Sequence, residues 1–135
     1  MHAESLTLWQ QIDGLPSHIF LDALHDDFEG FRLLLRGESP TLPPLRVRFE
    51  SVLAYRVATE SYRLRLGENI VGSGIYIVEN SRFIAWLTEE SYGAWNPDGL
   101  THYLIVTSDD CVDVVSEWPP SIEWLPTVPS GGRRS

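Results

Sequence analysis

LRVRFESVLAYRVATESYRLRL, residues 45–66, is the stretch on which the fold turns. Val47 and Phe49 alternate with Arg46, Arg48 and Glu50, which is the period of a β-strand with one face buried and the other in water. The alternation changes phase near Ser51–Val52 and resumes through Leu53, Ala54, Tyr55 and Val57. One long strand over 45–57 therefore needs a bulge at that point. Beyond Ala58–Thr59–Glu60, Tyr62, Leu64 and Leu66 alternate with Arg63 and Arg65. A hairpin through 58–60 sets these two arginines beside Arg46, Arg48 and Glu50 on one solvent face.

Working outward toward the N-terminus, GESPTLPP (37–44) is a loop, because its three prolines and glycine bar a regular element. Residues 28–36 alternate again, with Phe31, Leu33 and Leu35 against Arg32, Leu34 and Arg36. Residues 18–25 fit either a helix capped by Ser17 or a strand. The strand is preferred, because 28–36 then becomes its hairpin partner across Asp26–Asp27. A helix would align His18, Asp22, His25 and Asp26 as a metal-binding face, whereas a strand sends His18 and His25 to opposite faces. No metal or cofactor is expected.

Toward the C-terminus, Ile75–Val78 is a short strand apolar on both faces, and Asn80 or Ser81 caps a helix over 82–91. Glu89 and Glu90 fall in its last turn, against the helix dipole. YGAWNPDG (92–99) breaks the chain. Residues 101–107 and 111–117 form a strand pair across Ser108–Asp109–Asp110, and the apolar piece 122–125 docks as an edge beside its prolines. The expected architecture is a single α+β domain over 1–125, a mostly antiparallel sheet of about six strands with one main helix packed on it. The tail 126–135 is expected to be flexible.

Composition narrows the function classes. All ten cations are arginine, seven of them between Arg32 and Arg65, against nineteen carboxylates, for a net charge of −9. That balance disfavours nucleic acid as a partner and suits a protein with a basic surface. Cys111 is the one cysteine, so no internal disulfide forms, which suits a reducing compartment. No apolar run approaches the roughly 18 residues of a membrane span. A cytoplasmic location with no membrane contact is expected.

The runs FESVLAYRVATESYRLR, YIVENSRFIAWLTEESYG and LTHYLIVTSDDCVDVV, spread over roughly 45–117, resemble a group of small bacterial proteins of unassigned function. Proteins of that kind look like those encoded beside bacterial toxins as immunity proteins or cargo-associated partners. The resemblance implies a partner protein and carries no chemistry.

Two constellations are candidates. Glu89, Glu90, Tyr92, Trp95, Asp98, Asp109, Asp110 and Asp113 combine aromatics with carboxylates, as an anchor and rim for a cationic protein do. Tyr55, Arg56, Glu60, Asn80, Ser81 and Arg82, with Glu90, would form a polar pocket where the long strand meets the helix, either a structural network or a ligand site. No catalytic residue is assigned. His102 reads as a satisfied core histidine, and Cys111 stands among aspartates that oppose a reactive thiolate. The expected function is a non-catalytic protein-binding domain, an immunity-type inhibitor that occludes a bacterial toxin. The alternatives are an enzyme or small-ligand domain using the polar pocket, and a self-associating structural or adaptor subunit.

Overall fold

The alternation in 28–36 and 45–49 sends Phe31, Leu33, Leu35, Leu45, Val47 and Phe49 to one side, and all six are buried in the computed structural model. The structure describes residues 3–10, 12–59 and 72–126. Its elements, in chain order, are β1 (Ser5–Leu8), β2 (Ile19–Asp27), β3 (Gly30–Gly37), β4 (Leu45–Phe49), β5 (Val52–Thr59), β6 (Gly74–Glu79), α1 (Arg82–Glu90), β7 (Thr101–Val106), β8 (Asp110–Ser116) and β9 (Ser121–Trp124). A 3-10 turn, Pro97–Gly99, precedes β7.

The strands divide between two antiparallel sheets, one ordered β1-β6-β7-β8-β5 and the other β2-β3-β4-β9. The α+β class and its antiparallel character stand. The expectation of about six strands in one sheet does not, because the described residues hold nine strands in two sheets. The inner faces meet in one core, where Ile19, Leu33, Val47 and Phe49 pack against Ile75, Tyr103, Ile105, Val112 and Val114. The Phe49 and Tyr103 rings are 5.5 Å apart across this interface.

The phase change near Ser51–Val52 marks a change of sheet. Residues 45–49 belong to the four-stranded sheet and 52–59 to the five-stranded one, so 45–57 is not one strand. Ser51 secures the corner through Oγ donating to Glu117 Oε1 at 2.6 Å, while its carbonyl accepts from the Glu117 amide. A register shift between Val52 and Ala54 places a bulge just beyond the corner. The hairpin partner expected at 62–66 lies outside the described residues.

The corner also redistributes the arginines. Arg32, Arg36, Arg46 and Arg48 line β3 and β4 on the outside of the four-stranded sheet, and Arg56 is carried into the other sheet. Arg32 pairs with Asp27 and Glu29, Arg36 with Asp22, and Arg46 with Glu123 across the β4–β9 ladder. The stretch 18–25 forms a strand rather than a helix, as preferred, starting at Ile19. The β2–β3 turn comes slightly later than Asp26–Asp27, with Asp27 opposite Gly30.

Helix α1 lies on the outer face of the five-stranded sheet. Ser81 is its N-cap, with extended backbone and Oγ accepting from the Ile84 amide at 3.0 Å. Phe83, Ile84 and Leu87 fall on one side of the helix and pack against Leu53, Ala54, Leu100 and Val115. Among the described residues no helix is long and apolar enough to cross a membrane.

Candidate functional site

The outer face of the five-stranded sheet is apolar except beneath the start of α1. Alternation in β7 and β8 turns His102 and Asp113 outward from the sandwich core, and α1 covers them, leaving each side chain about 1% exposed. Asp113 accepts from Arg56 Nε at 2.9 Å through Oδ2 and lies 2.6 Å from His102 Nε2 through Oδ1. The other ring nitrogen, Nδ1, is 2.7 Å from Ser81 Oγ.

The heavy-atom geometry fits a neutral imidazole with its proton on Nε2 toward Asp113, in which Nδ1 accepts from Ser81 Oγ. Ser81 Oγ also accepts from the Ile84 amide. The resulting chain runs from the helix N-terminus through Ser81, His102 and Asp113 to Arg56. Arg56 also lies over the Phe83 ring at 4.3 Å, and Phe83 packs edge-on to His102 at 5.5 Å. Each buried side-chain polar atom of His102 and Asp113 has a partner, which is what permits their burial. The reading of His102 as a satisfied core histidine agrees with this arrangement.

The expected polar pocket is therefore only partly assembled. Arg56 and Ser81 are joined, through two residues outside the expected set. Tyr55 neighbours Arg56 on a strand and points to the opposite face, where its ring lies 4.7 Å from Phe31. Asn80, at φ 57, donates to the Ala3 carbonyl, and the Arg82 amide donates to Glu4 Oε2 at 2.7 Å. The N-terminal segment thus occupies the outer side of the β6–α1 turn. Glu60 lies outside the described residues, and Glu90 is exposed at the far end of α1.

The acidic–aromatic set is also divided. Glu89, Glu90, Tyr92, Trp95 and Asp98 are all exposed around the C-terminal end of α1 and the segment after it. Asp109 and Asp110 cap the β7–β8 turn, beyond the end of β7 opposite Thr101; at roughly 3.3 Å per residue, that strand is about 17 Å long. Asp113 is removed from the surface set, because strand alternation places it inside, under α1. His18 precedes β2 and His25 sits opposite Arg32, so the two do not converge. Among the described residues no three His, Cys, Asp or Glu side chains form a metal-holding group.

The end of α1 has an unusual termination. The Tyr92 amide donates to Glu89 O and the Gly93 amide to Thr88 O, the paired bonds of a Schellman motif. Glycine is usual at the left-handed position of that motif, yet here Tyr92 occupies it, at φ 55. The left-handed conformation costs a side-chain-bearing residue about 1–2 kcal/mol. At 98% exposure, Tyr92 recovers nothing by packing. Trp86, 53% exposed, lies one turn before Glu89 and Glu90 and borders a groove of about 540 Å³ lined also by Tyr55, Phe83 and Asp26. No arginine or lysine occurs between Arg82 and Arg133, so the acids here have no neighbouring cation in sequence.

The sequence showed the surface aromatics and acids but not the Ser81–His102–Asp113 chain. The available signal was a lone polar residue in each of two strongly apolar strands, THYLIV and CVDVV, which adjacent pairing brings under one helix. Comparison with known proteins finds no protein-family model, no curated protein and no solved structure that matches this chain.

Proposed function

We propose that this chain is a protein-binding domain of the immunity type, which docks on a cationic protein such as a bacterial toxin and occludes it. The observation that carries the reading is Tyr92. A bulky aromatic is held in a costly backbone conformation, fully in water, where glycine would serve the fold better. Strain without internal return points to a use outside the chain. Trp95 is a further exposed aromatic in the segment after α1, Trp86 is exposed earlier on the helix, and Glu89, Glu90 and Asp98 supply the acids of the rim. Aromatic anchors within a charged rim are how protein interfaces concentrate affinity, and acidic steering speeds encounter with a basic partner.

The test is the Tyr92→Gly variant, assayed against the product of the neighbouring gene. The variant is expected to unfold about 1 kcal/mol harder, because glycine relieves the left-handed strain. It is also expected to bind at least about 30-fold more weakly, the scale of an interface hot spot. Titration calorimetry over a range of salt concentrations reads both affinity and its electrostatic part. Absence of binding at low salt, or equal binding by Tyr92→Gly, counts against the reading.

A further inference from the structure

Ser81, His102 and Asp113 are joined in the order of a nucleophile, its base and the group that orients the base. We propose that Ser81 is an acyl-accepting nucleophile, with His102 as its general base, at a latent esterase site that adjoins the docking surface through Glu89 and Asp98. Four observations on the molecule carry this. The Oγ–Nδ1 and Nε2–Oδ1 distances are 2.7 and 2.6 Å, both within reach for proton transfer. Arg56 Nε donates to Asp113 Oδ2 at 2.9 Å, leaving Oδ1 to face His102 Nε2 and orient the ring. Ser81, half-buried, stands at the strand-to-helix turn directly after Asn80 at φ 57, the kind of turn that carries a nucleophile in serine hydrolases. Ser81 and His102 both border an open cleft of about 970 Å³ between α1 and the 3-10 turn.

The ring is reversed relative to the usual serine triad, in which Nε2 faces the serine and Nδ1 the aspartate. Either nitrogen of a neutral imidazole serves as base when the other carries the proton, so the reversal preserves the chemistry. In the acylation step the Ser81 oxygen bonds to the ester carbonyl carbon and its proton passes to His102 Nδ1. The bond to the alcohol oxygen then breaks, and the Nδ1 proton goes to that oxygen. Water next attacks the acyl-serine, giving one proton to Nδ1. The carbon–Oγ bond breaks, Oγ takes the proton back, and the carboxylic acid leaves. The sum is ester plus water to acid plus alcohol.

The cleft also indicates a substrate class. Val78, Ile84 and Leu100 form an apolar wall suited to a short aliphatic acyl group, and Glu89 and Asp98 stand on the lining. Neutral or cationic alcohols are therefore favoured over anionic ones. Glu4 acts as a plug. Its carboxylate holds the Arg82 amide at 2.7 Å, the first amide of α1 and the backbone donor next to Ser81 that could serve a developing oxyanion. A negative charge at that position opposes the negative charge of the tetrahedral intermediate.

The experiment is labelling of the full chain with a fluorophosphonate probe, with the labelled residue found by peptide mass mapping. Wild type is expected to label at Ser81, and Glu4→Gln several-fold faster. Ser81→Gly, which retains capping to within a few tenths of a kcal/mol, is expected to stay folded by circular dichroism and not to label. His102→Gln is expected to label about 100-fold more slowly or worse. Hydrolysis of a short-chain aryl ester is expected to follow the same order. The proposal is overturned if Ser81 is unlabelled in both wild type and Glu4→Gln, or if folded Ser81→Gly hydrolyses the ester as wild type does. Should His102→Gln fail to fold, the Glu4 and Ser81 variants still decide the matter.

Discussion

Tyr103 shows how a single side chain ties stability to pH. It is buried between the sheets, edge-on to Trp9 at 6.1 Å and beside Phe49. Burial raises its phenol above the ordinary value of 10.0, and a hydrogen bond with the Thr101 side chain pulls more weakly the other way. The unfolded phenol therefore ionises at lower pH than the folded one. Stability from this group is whole below pH 10 and declines as pH rises toward the folded value. Tyr103→Phe is expected to flatten the alkaline decline. Urea midpoints measured from about pH 8 to pH 11 check this, and an unchanged slope would assign the decline to other groups. Asp27 behaves in the opposite sense. The Arg32 guanidinium and the Glu29 amide hold its carboxyl below the usual 3.8, so its contribution persists above that value and is lost as pH falls through the folded one.

Helix α1 is well started and poorly finished. Ser81 caps its N-terminus, but the first turn carries no acid and the last turn carries no base. Glu89 and Glu90 instead place two negative charges beside the unsatisfied carbonyls of the C-terminal end. Converting both to Gln is expected to stabilise the chain by about 0.3–1 kcal/mol for each charge at low ionic strength, with the gain shrinking as salt is added. Thermal unfolding at two salt concentrations measures it. A loss of stability would mean that these carboxylates are satisfied within the fold. The same variant is expected to associate more slowly with a cationic partner, which places stability and binding in opposition along one helix.

At the scale of the whole molecule, the two sheets depend on one core. The four-stranded sheet buries Phe31, Leu33, Leu35, Val47 and Phe49 against Ile105, Val112 and Val114 of the other. The β4–β5 corner at Glu50–Ser51 and the Ser108 amide donating to the Ile19 carbonyl at 2.8 Å join the sheets at separate points. Leu33 is wholly buried, and Leu33→Ala is expected to cost about 2–5 kcal/mol through lost contacts and the cavity left behind. Unfolding followed by tryptophan fluorescence and by far-UV circular dichroism is expected to give coincident transitions. Separate midpoints for the two probes would show that the sheets unfold independently.

Period-two alternation made β2, β3 and β4 legible from residues alone, because burial on one strand face leaves a local pattern. The start of α1 was legible for the same reason, since Ser81 caps its own amides a few positions on. The partner sheet of β5 was not. The phase change near Ser51–Val52 looks the same in sequence whether the strand bulges or crosses to a second layer, and only the packing of distant strands selects between them. Tyr92, Glu89 and Glu90 could be read as surface groups, but the strain at Tyr92 appears only when the helix end is closed in three dimensions. His102 and Asp113, eleven residues apart, meet because β7 and β8 pair in one register and α1 covers them. Sequence by itself determined which side chains needed burial and where the chain turns, since those are local free energies. Tertiary structure decided which buried polar groups found each other, since a hydrogen-bond partner is set by register and layering, which no local pattern encodes.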